Sequence, residues 1–125
     1  MDWSEIRYFA KREFACKCGK CGGVEDMDPD FMRMLDAMRE LYGDPMIITS
    51  GYRCPEHEAE KKKASPGAHS AGLAADIAAG TGKRRYDLIK AAMEIGMVGV
   101  GVANSFIHLD AGHPTADRPV VWKYS

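Results

Sequence analysis

Two short stretches of this chain alternate as the two faces of a sheet do. In residues 73–79, Leu73, Ala75, Ile77 and Ala79 fall on one side, and Ala74, Asp76 and Ala78 on the other. In residues 106–111, Ile107 and Leu109 oppose Phe106, His108 and Asp110. Successive side chains of a strand point to opposite faces. Each stretch therefore predicts a strand with one apolar face to cover and a second face bearing titratable groups. Residues 46–49, ended by Ser50-Gly51, read as a buried strand. Val98, Val100 and Val102 alternate with Gly99 and Gly101, and residues 120–124 suit a last edge strand.

The cover comes from two helical patterns. Asp28 is suited to an N-cap, Pro29 to the first helical position and Gly43 to the end, which predicts a helix over 29–42. Phe31, Met34, Leu35, Met38, Leu41 and Tyr42 form its inner stripe. A second helix covers 83–95, with Leu88, Ile89, Ala92, Met93 and Ile95 inward and Gly96 at its end. Residues 54–62 predict a short polar helix opening at Pro55, and 63–72 a loop. The expected architecture is α+β: a small antiparallel sheet with helices packed on one side. At 125 residues the chain is expected to form one domain, 1–125, whose first 27 residues are an irregular, Cys-rich segment.

Lys plus Arg is 17 and Asp plus Glu is 18. That balance lacks the basic excess of a dedicated nucleic-acid binder. No apolar run approaches the ~20 residues of a membrane helix, and the polar start, Met1-Asp2-Trp3-Ser4-Glu5, carries no secretory signal pattern. The expectations are synthesis in the cytoplasm, no nucleic-acid or membrane partner, and a monomer. Cys16, Cys18 and Cys21 crowd together and Cys54 stands apart. Three readings compete: disulfides tying the N-terminal loop to Cys54, a structural zinc on four sulfurs, or free buried thiols.

His69 and Asp76 span a loop-to-strand junction, and His108 lies on a later strand, on the same face as Asp110. Two imidazoles and a carboxylate form a zinc triad that leaves a fourth position for water. Other signals are weaker. Gly80-Thr81-Gly82-Lys83 lacks the remaining residues of a phosphate loop and suits a helix start. Cys54 and His57 are a conceivable thiol–imidazole pair, and thus a cysteine-hydrolase reading. His113 is either at a cleft rim or simply exposed.

Four spaced segments carry a family resemblance. Ser50-Gly51-Tyr52-Arg53-Cys54-Pro55-Glu56-His57, then His69-Ser70-Ala71-Gly72-Leu73-Ala74-Ala75-Asp76-Ile77, then Phe106-Ile107-His108-Leu109-Asp110, and Arg118-Pro119 followed by Trp122 resemble the ordered motifs of the M15 zinc peptidases. These include D-Ala-D-Ala carboxypeptidases and phage endolysins; the short members of the DUF882-like or phage type are the nearest in kind. The resemblance covers residues 29–125. It implies a hedgehog/DD-peptidase-like fold, zinc on His69, Asp76 and His108, and Arg53 binding substrate or oxyanion. It further implies hydrolysis of a peptide bond in peptidoglycan stem peptides or cross-links, at the cell wall, after a phage-type release.

Two departures bear on that reading. Relatives often carry an acidic base three positions before the last histidine, where this chain has Ser105; before His69 it has Gly67 and Ala68 where Ser or Asn is common. Asp110 is the next candidate for the base, or else a group that orients His108, with Glu56 and Glu58 as fallback acids. The alternative function is a catalytically inactive, zinc-containing binding module of the same fold.

Overall fold

The helices begin where the capping residues place them. In the computed structural model, which describes residues 1–124, α1 spans Pro29–Tyr42, and the Asp28 side chain accepts from Phe31 N at 2.9 Å. Strand β1 (Ile48–Ser50) leads to a single helical turn, α2 (Glu58–Lys61), then β2 (Ala74–Ala78) and α3 (Gly82–Ile95). Thr81 caps α3 by accepting from Arg84 N, so the Gly80–Lys83 run is a helix start. Strands β3 (Gly99–Val102), β4 (Phe106–Asp110) and β5 (Val120–Lys123) complete the chain. Residues 1–27 hold only two 3-10 turns, Trp3–Glu5 and Lys11–Phe14. They are nonetheless anchored: Ile6, Phe9, Phe14 and Met27 are buried in the core.

The five strands form one sheet in the order β1-β2-β4-β3-β5. It is mixed rather than wholly antiparallel. The segment after β4 skips over β3, so β5 returns antiparallel to β4 and parallel to β3, its neighbour. The face carrying Ala75, Ile77, Val100, Ile107 and Leu109 is buried with Phe31, Leu35 and Met38 of α1 and Leu88 and Ala92 of α3. The helical stripes are narrower than expected. At ~100° per residue Leu41 lies at the flank of its stripe and Met93 well outside its own, and both are exposed. Strand β1 starts two residues late, with Ile47 exposed and an irregular register opposite Ile77 and Asp76. Helix α2 is shorter than expected because Cys54 is drawn inward and a turn, His57 N to Cys54 O at 3.0 Å, intervenes.

The opposite sheet face bears the polar groups, and β3 makes room for them. Asp110 pairs with Gly99, and His108 with Gly101. A Cβ on Gly99 would collide with the Asp110 carboxyl group, and one on Gly101 would sit 2.7 Å from the Trp122 ring. The glycines in the β3 alternation are therefore a floor on which Asp110 and Trp122 rest. Gly99→Ala and Gly101→Ala should each destabilise the fold by about 1–3 kcal/mol, the usual cost of overpacking. Gly80→Ala meets no atom within 4 Å and should cost under about 0.5 kcal/mol. Urea unfolding of the three variants checks the ordering.

Candidate metal centre

The neighbouring strands β2 and β4 pair Asp76 directly with His108. The 63–72 loop then turns back to place His69 beside them. Leu73 N bonds to Ala68 O at 2.9 Å and Gly72 N to His69 O at 3.2 Å. All three side chains are buried, and their donor atoms lie within 4.8 Å of one another. Asp76 Oδ1 is 3.3 Å from His69 Nε2 and 3.1 Å from His108 Nδ1.

The hydrogen bonds on the far sides of the rings decide what these atoms offer. His69 Nδ1 lies 2.7 Å from the Gly51 carbonyl, which can only accept, so Nδ1 carries the proton. Burial lowers the His69 pKa, outweighing the pull of Asp76, and the ring is neutral. Its Nε2 lone pair therefore faces a carboxylate oxygen. Burial alone would raise the Asp76 pKa, but its neighbours, first the hydrogen bond from His108, hold the group well below the usual carboxylate range. Two acceptors pointed at each other in a buried site are stabilised by a cation between them.

His108 is held from behind by Asp110, whose Oδ2 is 2.7 Å from Nε2. Asp110 is fully buried, and Arg118 donates to both of its oxygens, from Nε at 2.9 Å and from the terminal nitrogen at 2.8 Å. Burial would raise the Asp110 pKa; Arg118 and His108 outweigh it and lower it. Burial would depress His108, but Asp110 and Asp76 outweigh it, so without metal the ring holds its second proton more tightly than usual. A metal at Nδ1 displaces that proton.

Arg53 stands beside the triad. Its guanidinium is 3.4 Å from Asp76 Oδ2 and 3.7 Å from Glu60 Oε2, and its Nε donates to Ser50 Oγ at 3.3 Å. Glu60 is a site residue that the sequence did not reveal. It is buried and accepts from Lys63 at 2.8 Å, Ser70 at 2.8 Å and Gly67 N at 3.1 Å. The cleft above the triad has a volume of about 280 Å³. Its lining includes the cations Arg53, Lys63 and Arg118, the His113 imidazole, and the aromatic rings of Trp122 and Tyr124. Trp122 packs on His108 with ring centres 5.0 Å apart. The remaining candidates lie elsewhere. Ser105 is exposed in the β3–β4 turn; Glu56 and Glu58 are exposed and pair with Lys61 and Lys20. His57 caps α2, its Nδ1 accepting from Ala59 N, while burial pushes the Cys54 thiol up to about 12. The geometry thus speaks against a Cys54–His57 nucleophile.

Burial alone would raise the Glu60 carboxyl, yet the bonds from Lys63, Ser70 and Gly67 bring it from 4.5 to about 2. Because the folded value lies below the unfolded one, the ionised contacts stabilise the fold fully above pH 4.5, and that stability is lost as pH falls toward 2. The stability advantage of the native chain over Glu60→Gln should be on the order of 2 kcal/mol near neutrality and shrink through that acid window. Urea unfolding at a series of pH values tests this; a difference that stays constant across the window contradicts it.

The donor set of two imidazole nitrogens and one carboxylate oxygen suits zinc with a position left open. Among curated proteins no match to the chain is found. The family model for Peptidase M15 matches residues 7–110, a span that includes Arg53, His69, Asp76, His108 and Asp110. The chain belongs to the Peptidase M15 family.

Proposed function

We propose that this protein is a zinc peptidase that cleaves a bond in the peptide part of peptidoglycan, at the cell wall. The observation that carries the reading is the convergence of three ligand atoms, His69 Nε2, Asp76 Oδ1 and His108 Nδ1, beneath a cleft lined by both imidazoles. Those three atoms would hold the metal. Zinc supplies Lewis-acid polarisation of a carbonyl and acidifies a water to a pKa of about 7.

The rest is done by side chains. With His108 deprotonated at Nδ1, as metal binding requires, Asp76, Asp110 and Glu60 carry three negative charges and Arg53, Lys63 and Arg118 three positive ones, so the protein groups balance and the dication's charge is the excess. With one bound, the cleft is net positive and suits a peptide bearing carboxylates, as peptidoglycan stems do. Arg53, fixed by Ser50 and Glu60, offers a planar fork to a carboxylate or a developing oxyanion. His113 accepts at Nδ1 from Thr115 N and Ala116 N. Burial lowers its pKa, so the neutral ring carries its proton on Nε2, as a donor rather than a base. Trp122 and Tyr124 give the wall an apolar surface. Asp110 is a positioning residue in this reading, because both of its oxygens are engaged by His108 and Arg118.

A second reading is a zinc-containing binding module that does not hydrolyse its ligand. It is favoured by Ser105 in the position of the acid and by the commitment of Asp76, Asp110 and Glu60 to neighbouring donors. Mass spectrometry of peptidoglycan fragments after incubation with zinc-loaded protein separates the two. The peptidase reading expects new stem-peptide products that vanish on chelation and return with zinc. Full zinc occupancy with no product supports the binding module instead.

Asp110→Asn should weaken zinc binding by roughly 10–100-fold, the usual effect of removing a partner of a ligating imidazole. Activity should return as zinc is added. An activity loss that zinc does not repair, at full occupancy, would make Asp110 the base instead.

A further inference from the structure

A second cluster of metal-ligating groups lies outside the cleft. Cys16, Cys18 and Cys21 from the N-terminal loop and Cys54 from the segment after β1 place all four sulfurs within 4.8 Å of one another. Cys16 and Cys54 are buried, and Cys18 and Cys21 are partly so. Cys18 Sγ and Cys54 Sγ are 3.5 Å apart. A disulfide would require about 2.05 Å. A tetrahedral zinc with bonds of about 2.3 Å to sulfur needs sulfur–sulfur edges of about 3.8 Å, which lies within the observed range.

The backbone around the cluster is already arranged for thiolates. Cys54 N donates to Cys16 Sγ at 3.3 Å and Lys20 N to Cys18 Sγ at 3.3 Å. Gly19 and Gly22, each directly after a cysteine, have φ of 78° and 73°, a left-handed conformation that lets the short loop turn its sulfurs to one point. Two bonds close the frame without the sulfurs: Cys16 N to Val24 O at 2.8 Å and Tyr52 N to Phe14 O at 2.9 Å. The chain thus brings four soft donors together from two distant segments, with backbone hydrogen-bond donors in place for Cys16 and Cys18.

We infer that Cys16, Cys18, Cys21 and Cys54 bind a structural zinc ion as a closed tetrathiolate site, separate from the cleft. It staples the N-terminal segment to the residue next to Arg53, and so braces the loop that carries the guanidinium. A closed four-sulfur shell leaves no position for substrate, so the role is structural. The inference is independent of the proposed function.

The test uses the full chain, stripped of metal under reducing conditions and reloaded with cobalt(II). The expected result is a strong near-ultraviolet thiolate-to-cobalt charge-transfer band, with four thiols protected from alkylation until a chelator is added. His108→Ala should keep both the band and one zinc per chain, which places that metal at the cysteines. Cys21→Ser, at a partly exposed position, should weaken the band. Should that variant fail to fold, the native chain and His108→Ala carry the decision. Cobalt bound without the charge-transfer band overturns the proposal. So does chain purified without reductant whose mass shows disulfides, or thiols alkylated equally fast with and without metal.

Discussion

The Asp76 carboxylate is the group around which the site is organised. It is buried, it faces a histidine nitrogen on each side, and Arg53 approaches its second oxygen. Buried charge is costly unless paired and hydrogen-bonded; His108 and Arg53 donate to it, while His69 Nε2 faces it as a second acceptor across the place a cation would take. The neighbours are themselves fixed. Gly51 orients His69, Asp110 orients His108, and Glu60 and Ser50 flank Arg53. Arg118 in turn neutralises Asp110. The polar face of the sheet is thus a chain of pairings that begins and ends on arginine.

That arrangement depends on the fold's division of labour. One face of the central strands β2, β4 and β3 is apolar and is closed by α1 and α3, which supplies the rigidity. The other carries the polar network, with the glycines of β3 leaving space beneath Asp110 and Trp122. Strand β5 and the segment before it bring Arg118, Trp122 and Tyr124 over this face, so the cleft wall and the support behind His108 come from one C-terminal excursion.

Much of this was legible in the sequence because it follows short-range periodicity. The alternation at 73–79 and 106–111 put Asp76, His108 and Asp110 on one face, and the Asp28, Pro29 and Gly43 signals bounded α1. What escaped was determined by long-range packing. Glu60 sits in what reads as a short polar helix, and only the return of the 63–72 loop buries it against Ser70 and Gly67. Arg118 stands in the sequence as part of a motif, without a partner, because nothing local predicts its contact with Asp110. The parallel β3–β5 pairing likewise depends on which strand lies between them, and periodicity carries no information on that. The exposed Leu41 shows the same limit in helices: an apolar residue at the edge of a stripe is buried only if a neighbour reaches it.

The central claim is that His69, Asp76 and His108 form a metal centre. Anomalous diffraction at the zinc absorption edge, on crystals grown with zinc, tests it most directly. The account predicts a peak about 2.0–2.2 Å from His69 Nε2, an Asp76 carboxylate oxygen and His108 Nδ1 together, with Asp110 still bonded to His108 Nε2. A zinc-saturated crystal with no peak among those three atoms, and with His69 Nε2 and Asp76 still facing each other directly, would contradict it.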